Sequence, residues 1–229
     1  MIGGIVLSAV LWGRIRATRP IPVLVFVGAL VGSVLGAKVG YLLCESPFRY
    51  GRPDYWVNLL VGRTVIGGIL GGYLGVEWGK WQSGYRPPTG DVFALVVPLG
   101  IAVGRIGCYL NGCCPGLPCE PTWYALRDAA GTLRYPSSLV EAAFQVAFVG
   151  AAFVVFRRGM LRGQLFHLYM ITYGLFRMAH ELYRDTPRIG PVGTYQLLAA
   201  VLVAFGIERF VRRARSTQPC SVDAGATVH

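Results

Sequence analysis

The stretch VFALVVPLGIAVGRIGCYLNGCCPGLPC, residues 92–119, decides how the rest of the chain is read. It opens as an apolar run from Val92 to Ile106, with Arg105 near its end. Beyond the arginine come Gly107, Cys108, Asn111, Gly112, Cys113, Cys114, Gly116 and Cys119. No other stretch gathers so many reactive and backbone-permissive residues. An apolar run of this kind approaches the roughly 20 residues that cross a bilayer as a helix. The pattern predicts a spanning helix that carries a guanidinium and a cysteine-rich loop to a membrane surface.

Similar apolar runs recur on both sides, at residues 2–13, 21–44, 56–76, 138–156, 164–183 and 193–211. Only 14% of the 229 residues are charged and 54% are hydrophobic, whereas a soluble domain carries about a quarter charged residues. The mean hydropathy is +0.50. These features predict an all-α integral membrane protein with about seven transmembrane helices, forming one domain over residues 1–211. The first run is too short to cross the hydrocarbon core alone. No basic n-region or cleavage site follows Met1, so no cleavable signal peptide is expected. Residues 212–229 are basic and then polar, without periodicity, and are expected to form a disordered cytoplasmic tail.

The net charge of +11 raises the question of a nucleic-acid partner. The arginines flank apolar runs instead of forming one basic face, which is a topology signal, so no nucleic acid is expected. If all seven runs cross, one side carries Arg14, Arg16, Arg19, Lys80, Arg86, Arg157, Arg158, Arg162, Arg212, Arg213 and Arg215. The other carries Arg49, Arg52, Arg127, Arg134, Arg184 and Arg188. The richer side is cytoplasmic by the positive-inside rule, giving an N-out, C-in arrangement with residues 45–55 and 114–137 outside. Two glycine ladders, Gly28, Gly32, Gly36, Gly40 and Gly67, Gly71, Gly75, repeat every four residues. On helices they make flat seams, and they predict two central helices in close backbone approach.

Ionised groups at membrane depth cost roughly 2.5–3.5 kcal/mol each, so they pair or line a polar cavity. Lys38, Arg63, Arg105, Arg177 and Arg209 lie within or beside apolar runs, with Glu141, His180 and Glu181. Lys38 and Arg209 read as snorkelling residues near helix ends. Tyr173, Arg177, Glu181 and Arg184 are spaced by four, four and three, which places them on one helical face looking into the bundle. Two readings stay open. Arg177 and Glu181 form an internal ion pair that fixes the helix, or Arg177 and Arg105 hold a phosphate through paired hydrogen bonds. The natural ligand of the second is an anionic phospholipid headgroup. Glu141 either closes a capping box with Ser138 or turns toward the arginines. Gly104, Gly107, Gly112 and Gly116 would let the backbone after Arg105 turn sharply and bring its N–H groups to a bound anion. Cys108-x4-Cys113-Cys114-x4-Cys119 matches neither the usual zinc nor the ferredoxin spacings. Disulfides or inert thiols, a catalytic thiol and a metal site all stay open. The first two weigh more, so neither a metal nor a cofactor is expected.

Taken together, these motifs resemble those of the prolipoprotein diacylglyceryl transferase family. The family signature Gly-Arg-x-Gly-Asn-Phe-x-Asn-x-Glu-x-x-Gly is similar to the segment from Gly104 to Gly116. The segment Gly36 to Tyr41 resembles Gly-Ala-Arg-x-Gly-Tyr, and Tyr135 to Glu141 resembles His-Pro-Ser-Gln-x-Tyr-Glu. Tyr173 to Arg184 matches Tyr-Gly-x-x-Arg-x-x-x-Glu-x-x-Arg, and Gly193 to Leu197 resembles the start of the family's last helix. The resemblance covers residues 20–211. It implies a seven-helix, multi-pass enzyme of the bacterial cytoplasmic (inner) membrane. Such an enzyme moves diacylglycerol from phosphatidylglycerol to the lipobox cysteine of a prelipoprotein peptide. It implies that Arg105 and Arg177 clamp the lipid phosphate and stabilise the leaving group, with Asn111 and Glu181 orienting them. Gly104, Gly107, Gly112, Gly116, Ser137, Glu141, Tyr173 and Arg184 would then line the substrate.

Several family positions differ. The signature asparagine is Cys108 and its glutamate is Cys113. The family's Phe-His-Gly-Gly is Val65-Ile66-Gly67-Gly68, and its histidine before proline is Tyr135. His180 is then the helical candidate for a general base. Two alternatives stand beside the transferase. One is a cysteine-dependent paralogue, with Cys113 or Cys108 as nucleophile or redox partner on a different lipid or thiol. The other is a non-catalytic phospholipid-binding membrane protein.

Overall fold

The computed structural model describes residues 21–216, apart from positions 52, 54, 115, 129, 185, 187 and 191. The first apolar run and the tail beyond Ser216 lie outside the described residues. Helix α1 spans Val23–Cys44 and is followed by the short α2, Ser46–Arg49, and α3, Tyr55–Val61. Helix α4 spans Val65–Ser83, α5 Gly90–Leu110, α6 Ser137–Arg157 and α7 Leu165–His180. A 3-10 turn, Glu181–Tyr183, extends α7, and α8 spans Thr194–Ser216.

The run expected at 56–76 is two helices, not one. The helix breaks after Val61 because Thr64 caps the start of α4, its hydroxyl accepting from Gly67 N at 3.2 Å. Thr64 N donates to Ala37 O on α1 at 3.0 Å, which ties the break to the neighbouring helix. Five stretches are long and apolar enough to cross a membrane: α1, α3 with α4, α5, α6 and α8. The protein is thus mostly helical and multi-pass. The all-α expectation omitted two small antiparallel pairs among the described residues. Strand β1, Leu126–Arg127, pairs with β2, Leu133–Arg134, and β3, Arg188–Ile189, pairs with β4, Val192–Gly193. The last helix continues through Arg212 to Ser216, past the boundary expected at 211.

The glycine ladders meet each other. A Cβ on Gly28, Gly32 or Gly36 would collide with the carbonyl of Gly75, Gly71 or Gly67 respectively. Helices α1 and α4 therefore run antiparallel with no side chain between their backbones along this seam. Helix α5 pairs with α6, and α7 with α8. At the end of the bundle where α5 begins, the buried Asp91 carboxylate accepts from Gly163 N at 2.7 Å and so holds the turn before α7. Toward the opposite end, Tyr169 stacks on Tyr173, and Phe144 on Phe176 at 4.2 Å. Tyr169 and Tyr173 are fully buried and lead up the interior to the charged residues.

Candidate functional site: a buried arginine cage under a cysteine loop

The site is built around Glu141, one turn into α6 and wholly shielded from solvent. The capping box with Ser138 does not form, since α6 has no side-chain cap. Glu141 turns inward instead, because three guanidiniums converge on it. Its Oε2 lies 3.0 Å from Arg105 Nε, 3.3 Å from Arg177 Nη1 and 3.5 Å from Arg184 Nη1. Tyr173 OH donates to its Oε1 at 2.7 Å. One turn beyond Arg177, Glu181 accepts from Arg177 Nη2 at 3.0 Å and from Thr186 Oγ1 at 2.6 Å. The four-residue spacing read from the sequence thus sets Tyr173 and Arg177 on one face of α7, as expected.

Both structural ion pairs exist, Arg105 with Glu141 and Arg177 with Glu181. Arg184 adds a third cation to two carboxylates, so the cage holds one surplus positive charge. Arg105 Nε, Arg177 Nε, Arg184 Nε and Arg184 Nη1 are all buried without a hydrogen-bond partner among the described residues. Arg105 Nε and the two Arg184 nitrogens lie 3.0–3.9 Å from carboxylate oxygens but are not aligned for hydrogen bonds to them. A guanidinium has five donors, and buried donors are normally satisfied. A cage with spare donors and spare positive charge is suited to an anion with several oxygens.

The loop after α5 closes over this cage. Leu117 N donates to Tyr183 O and Tyr135 N to Leu117 O, both at 3.0 Å. Gly116 N donates to Tyr135 O at 3.2 Å, and Ser138 Oγ to Cys114 O at 3.4 Å. The loop is pinned between the end of α7 and the start of α6. Gly116 has to be glycine because a Cβ there would meet the Tyr135 carbonyl. Its N–H is engaged by the Tyr135 carbonyl in this structure. Gly104 and Gly107 lie inside α5, whose backbone runs on regularly through Arg105 to Leu110. They leave open space rather than making a turn. The turn comes at Gly112, which has φ +64°. Asn111 caps α5, its Nδ2 donating to Gly107 O at 2.8 Å, and no hydrogen bond joins it to the arginines among the described residues.

Ser137 is buried at the first position of α6, and its hydroxyl has no hydrogen-bond partner among the described residues. His180 is 3% exposed, stacked on Phe176 at 4.9 Å and beside Tyr135, and both ring nitrogens lack a hydrogen-bond partner among the described residues. Cys44, Cys108, Cys113, Cys114 and Cys119 are free thiols. The neighbouring Cys108 thiol and the Arg105 and Arg184 guanidiniums hold the Cys114 thiol below its ordinary range, against the opposing effect of burial. Lys38 Nζ is buried without a hydrogen-bond partner among the described residues and sits over the Tyr41 ring. Arg209 stacks over Phe205 and Tyr73.

A model of the prolipoprotein diacylglyceryl transferase family matches residues 1–212. The chain belongs to that family. It is 32% identical to a phosphatidylglycerol–prolipoprotein diacylglyceryl transferase of Azospirillum brasilense over 198 residues, 78% of this chain and 72% of the relative. A relative of the same description from Solidesulfovibrio magneticus is 31% identical over 232 residues, 90% and 86% of the two chains. One from Thermotoga maritima is 30% identical over 212 residues, 86% and 71%. Against the family signature, the residues brought together in the cage are the arginines and carboxylates that match it. The positions that depart from it, Cys108 and Cys113, lie together on the loop side. Thr186 is a site residue that the sequence reading missed, and Cys114 figured there only as one of the cysteine cluster. Cys114 adjoins a flagged residue, but only the fold brings it near Arg105. No spacing pattern in the sequence points to Thr186.

Proposed function

We propose that this protein is a diacylglyceryl transferase that takes its lipid from phosphatidylglycerol and gives it to a cysteine thiol, the lipobox cysteine of a prelipoprotein being the favoured acceptor. One observation carries the reading. Among the described residues, buried guanidinium donors of Arg105, Arg177 and Arg184 lack hydrogen-bond partners around a surplus positive charge. The phosphate of the lipid fills that deficit. The acceptor thiolate attacks the glycerol carbon that bears the phosphate, a C–S bond forms, and the C–O bond to phosphate breaks. Glycerol phosphate leaves with the electron pair, and the guanidiniums stabilise the charge that grows on it. His180 is the candidate to take the thiol proton, because its imidazole has no competing hydrogen-bond partner among the described residues. Tyr173 and Glu181 position Arg177 through Glu141 and directly.

The protein sits in the bacterial inner membrane with seven crossings, N-terminus outside and C-terminus inside, which puts the cage at the outer surface. The basic residues around Arg157, Arg158 and Arg162 lie at the far end of α6 from Glu141, in keeping with this orientation. Residues 1–211 form one membrane domain, and the segment after Ser216 is a cytoplasmic tail. A second reading draws on Cys114, whose lowered thiol lies within electrostatic reach of Arg105 and Arg184. In that reading an enzyme-borne thiolate receives the lipid first.

The test uses purified protein, phosphatidylglycerol micelles and a synthetic lipobox peptide, with mass spectrometry of the peptide. The parent adds one diacylglyceryl group. Arg105→Lys and Arg177→Lys lose at least about 100-fold in rate, since a point charge cannot replace a fork of donors. A folded parent that leaves the peptide unmodified and carries the lipid on Cys114 supports the second reading. Full activity in both lysine variants refutes the clamp.

A further inference from the structure

The sulfurs of Cys108, Cys113 and Cys114 all lie within 4.8 Å of one another. Sequence spacing argues against this, because Cys-x4-Cys-Cys on a continuous helix or strand would not converge. The fold overrides the spacing. Cys108 lies in the last turn of α5, and the chain doubles back at Gly112 so that Cys113 N reaches Cys108 O at 3.0 Å. Cys113 Sγ also approaches Cys108 O at 3.4 Å. Cys114 adopts φ +60°, a left-handed conformation unfavourable for a residue with a Cβ. We propose that Cys108, Cys113 and Cys114 form a three-thiolate site for a thiophilic metal ion of the zinc class, beside the arginine cage.

Three arguments support the site. The first is size. A zinc–sulfur bond of about 2.3 Å places two sulfurs on one ion roughly 3.8 Å apart. Sulfurs already within 4.8 Å reach that spacing with shifts of about an ångström. The second is charge. Three thiolates around a divalent ion carry one net negative charge, which is favourable beside a cage of three arginines and two glutamates. The third is access. Cys113 is exposed while Cys108 and Cys114 are half-buried, so an ion can enter from the loop side. Three protein ligands leave the fourth position open to an outside ligand, as in catalytic rather than structural zinc sites. The site does not depend on the transfer reading, and its test involves no lipid.

The full chain is purified in detergent, reduced, stripped with chelator and offered Zn2+ alone. Retained zinc is counted by elemental mass spectrometry after gel filtration. Co2+ substitution is followed by its thiolate charge-transfer absorption. The parent is expected to keep one ion per chain with a thiolate band. Cys113→Ser and Cys108→Ser should each weaken binding at least tenfold, and Cys119→Ser should not change it. If either serine variant loses its monodisperse gel-filtration profile, alkylation of the parent decides the matter. Zn2+ should then protect Cys108, Cys113 and Cys114, but not Cys119, in peptide mapping. The proposal fails if the reduced parent retains no ion, if binding is undiminished in both folded variants, or if, on exposure to air, two of the three thiols close a disulfide as readily with Zn2+ as without it.

Discussion

Replacing Glu141 by glutamine tests the cage at its centre. The side chain keeps its shape and can still accept from Tyr173 OH, now 2.7 Å away. What disappears is the one carboxylate that faces three guanidiniums at 3.0, 3.3 and 3.5 Å. Removing one partner from a buried ionic cluster costs about 3–5 kcal/mol, because the remaining charges stay buried and uncompensated. For a chain of this length that corresponds to a fall in melting temperature on the order of 10 °C. Anion affinity should move the other way, since the cage's surplus rises from one positive charge to two. Phosphate or glycerol phosphate should therefore raise the melting temperature of Glu141→Gln more than that of the parent. The double variant Arg105→Gln, Glu141→Gln restores the parent's surplus. It should recover at least ~1 kcal/mol relative to the sum of the two single changes. The assay is thermal unfolding in detergent, with and without the anion. If Glu141→Gln is as stable as the parent, or the double variant shows no coupling, the charge accounting of the cage is wrong.

Gly71→Leu or Gly32→Leu should abolish a monodisperse gel-filtration peak or lower thermal stability sharply. The new side chain strikes backbone that cannot move aside, and overpacking costs about 1–3 kcal/mol even where neighbours yield. Gly116→Ala should loosen the loop over the cage by forcing it off the Tyr135 carbonyl, read as faster proteolysis within residues 112–119 at nearly unchanged melting temperature. Asp128 accepts from Arg134 Nε at 2.6 Å and from the backbone of Thr132 and Ala130, and the Arg134 contact holds its carboxyl below the usual carboxylate range. A depressed carboxyl stabilises the β1–β2 hairpin above its unfolded pKa and ceases to as pH falls through the folded one. Hairpin cleavage by an acid-active protease should accordingly rise only below about pH 4 in the parent, and at all pH values in Asp128→Asn.

Much of the bundle was legible because membranes impose few solutions. Apolar run lengths located the described spans, and two four-residue glycine ladders identified a close helix pair. The break at Gly62–Thr64 was not legible, since hydropathy runs straight across it and a hydroxyl cap decides it. In the site, spacing by four placed Tyr173 and Arg177, while Glu141 remained ambiguous. A capping box and a buried ion pair share one sequence pattern, and only three converging guanidiniums decide between them. The glycines misled for a related reason. Identity alone does not distinguish Gly104 inside a helix from Gly112 at φ +64° or Gly116 pressed against a carbonyl. Likewise, cysteine spacing along the chain concealed three neighbouring sulfurs, because proximity arose from a reversal the spacing does not encode.

The seam between α1 and α4 has a mechanical consequence. Two helices whose glycine backbones touch have no side chains to slide or repack, so this pair moves as one rigid stave. The other helices form two further staves, α5 with α6 and α7 with α8, joined to each other by far fewer contacts. Arg105 and Glu141 belong to one of these, and Tyr173 and Arg177 to the other. The Glu141 carboxylate is thus a clasp across the joint. Any change that draws Arg177 away from it loosens the joint between these two staves, so the ionic state of the cage and the tightness of the bundle are coupled.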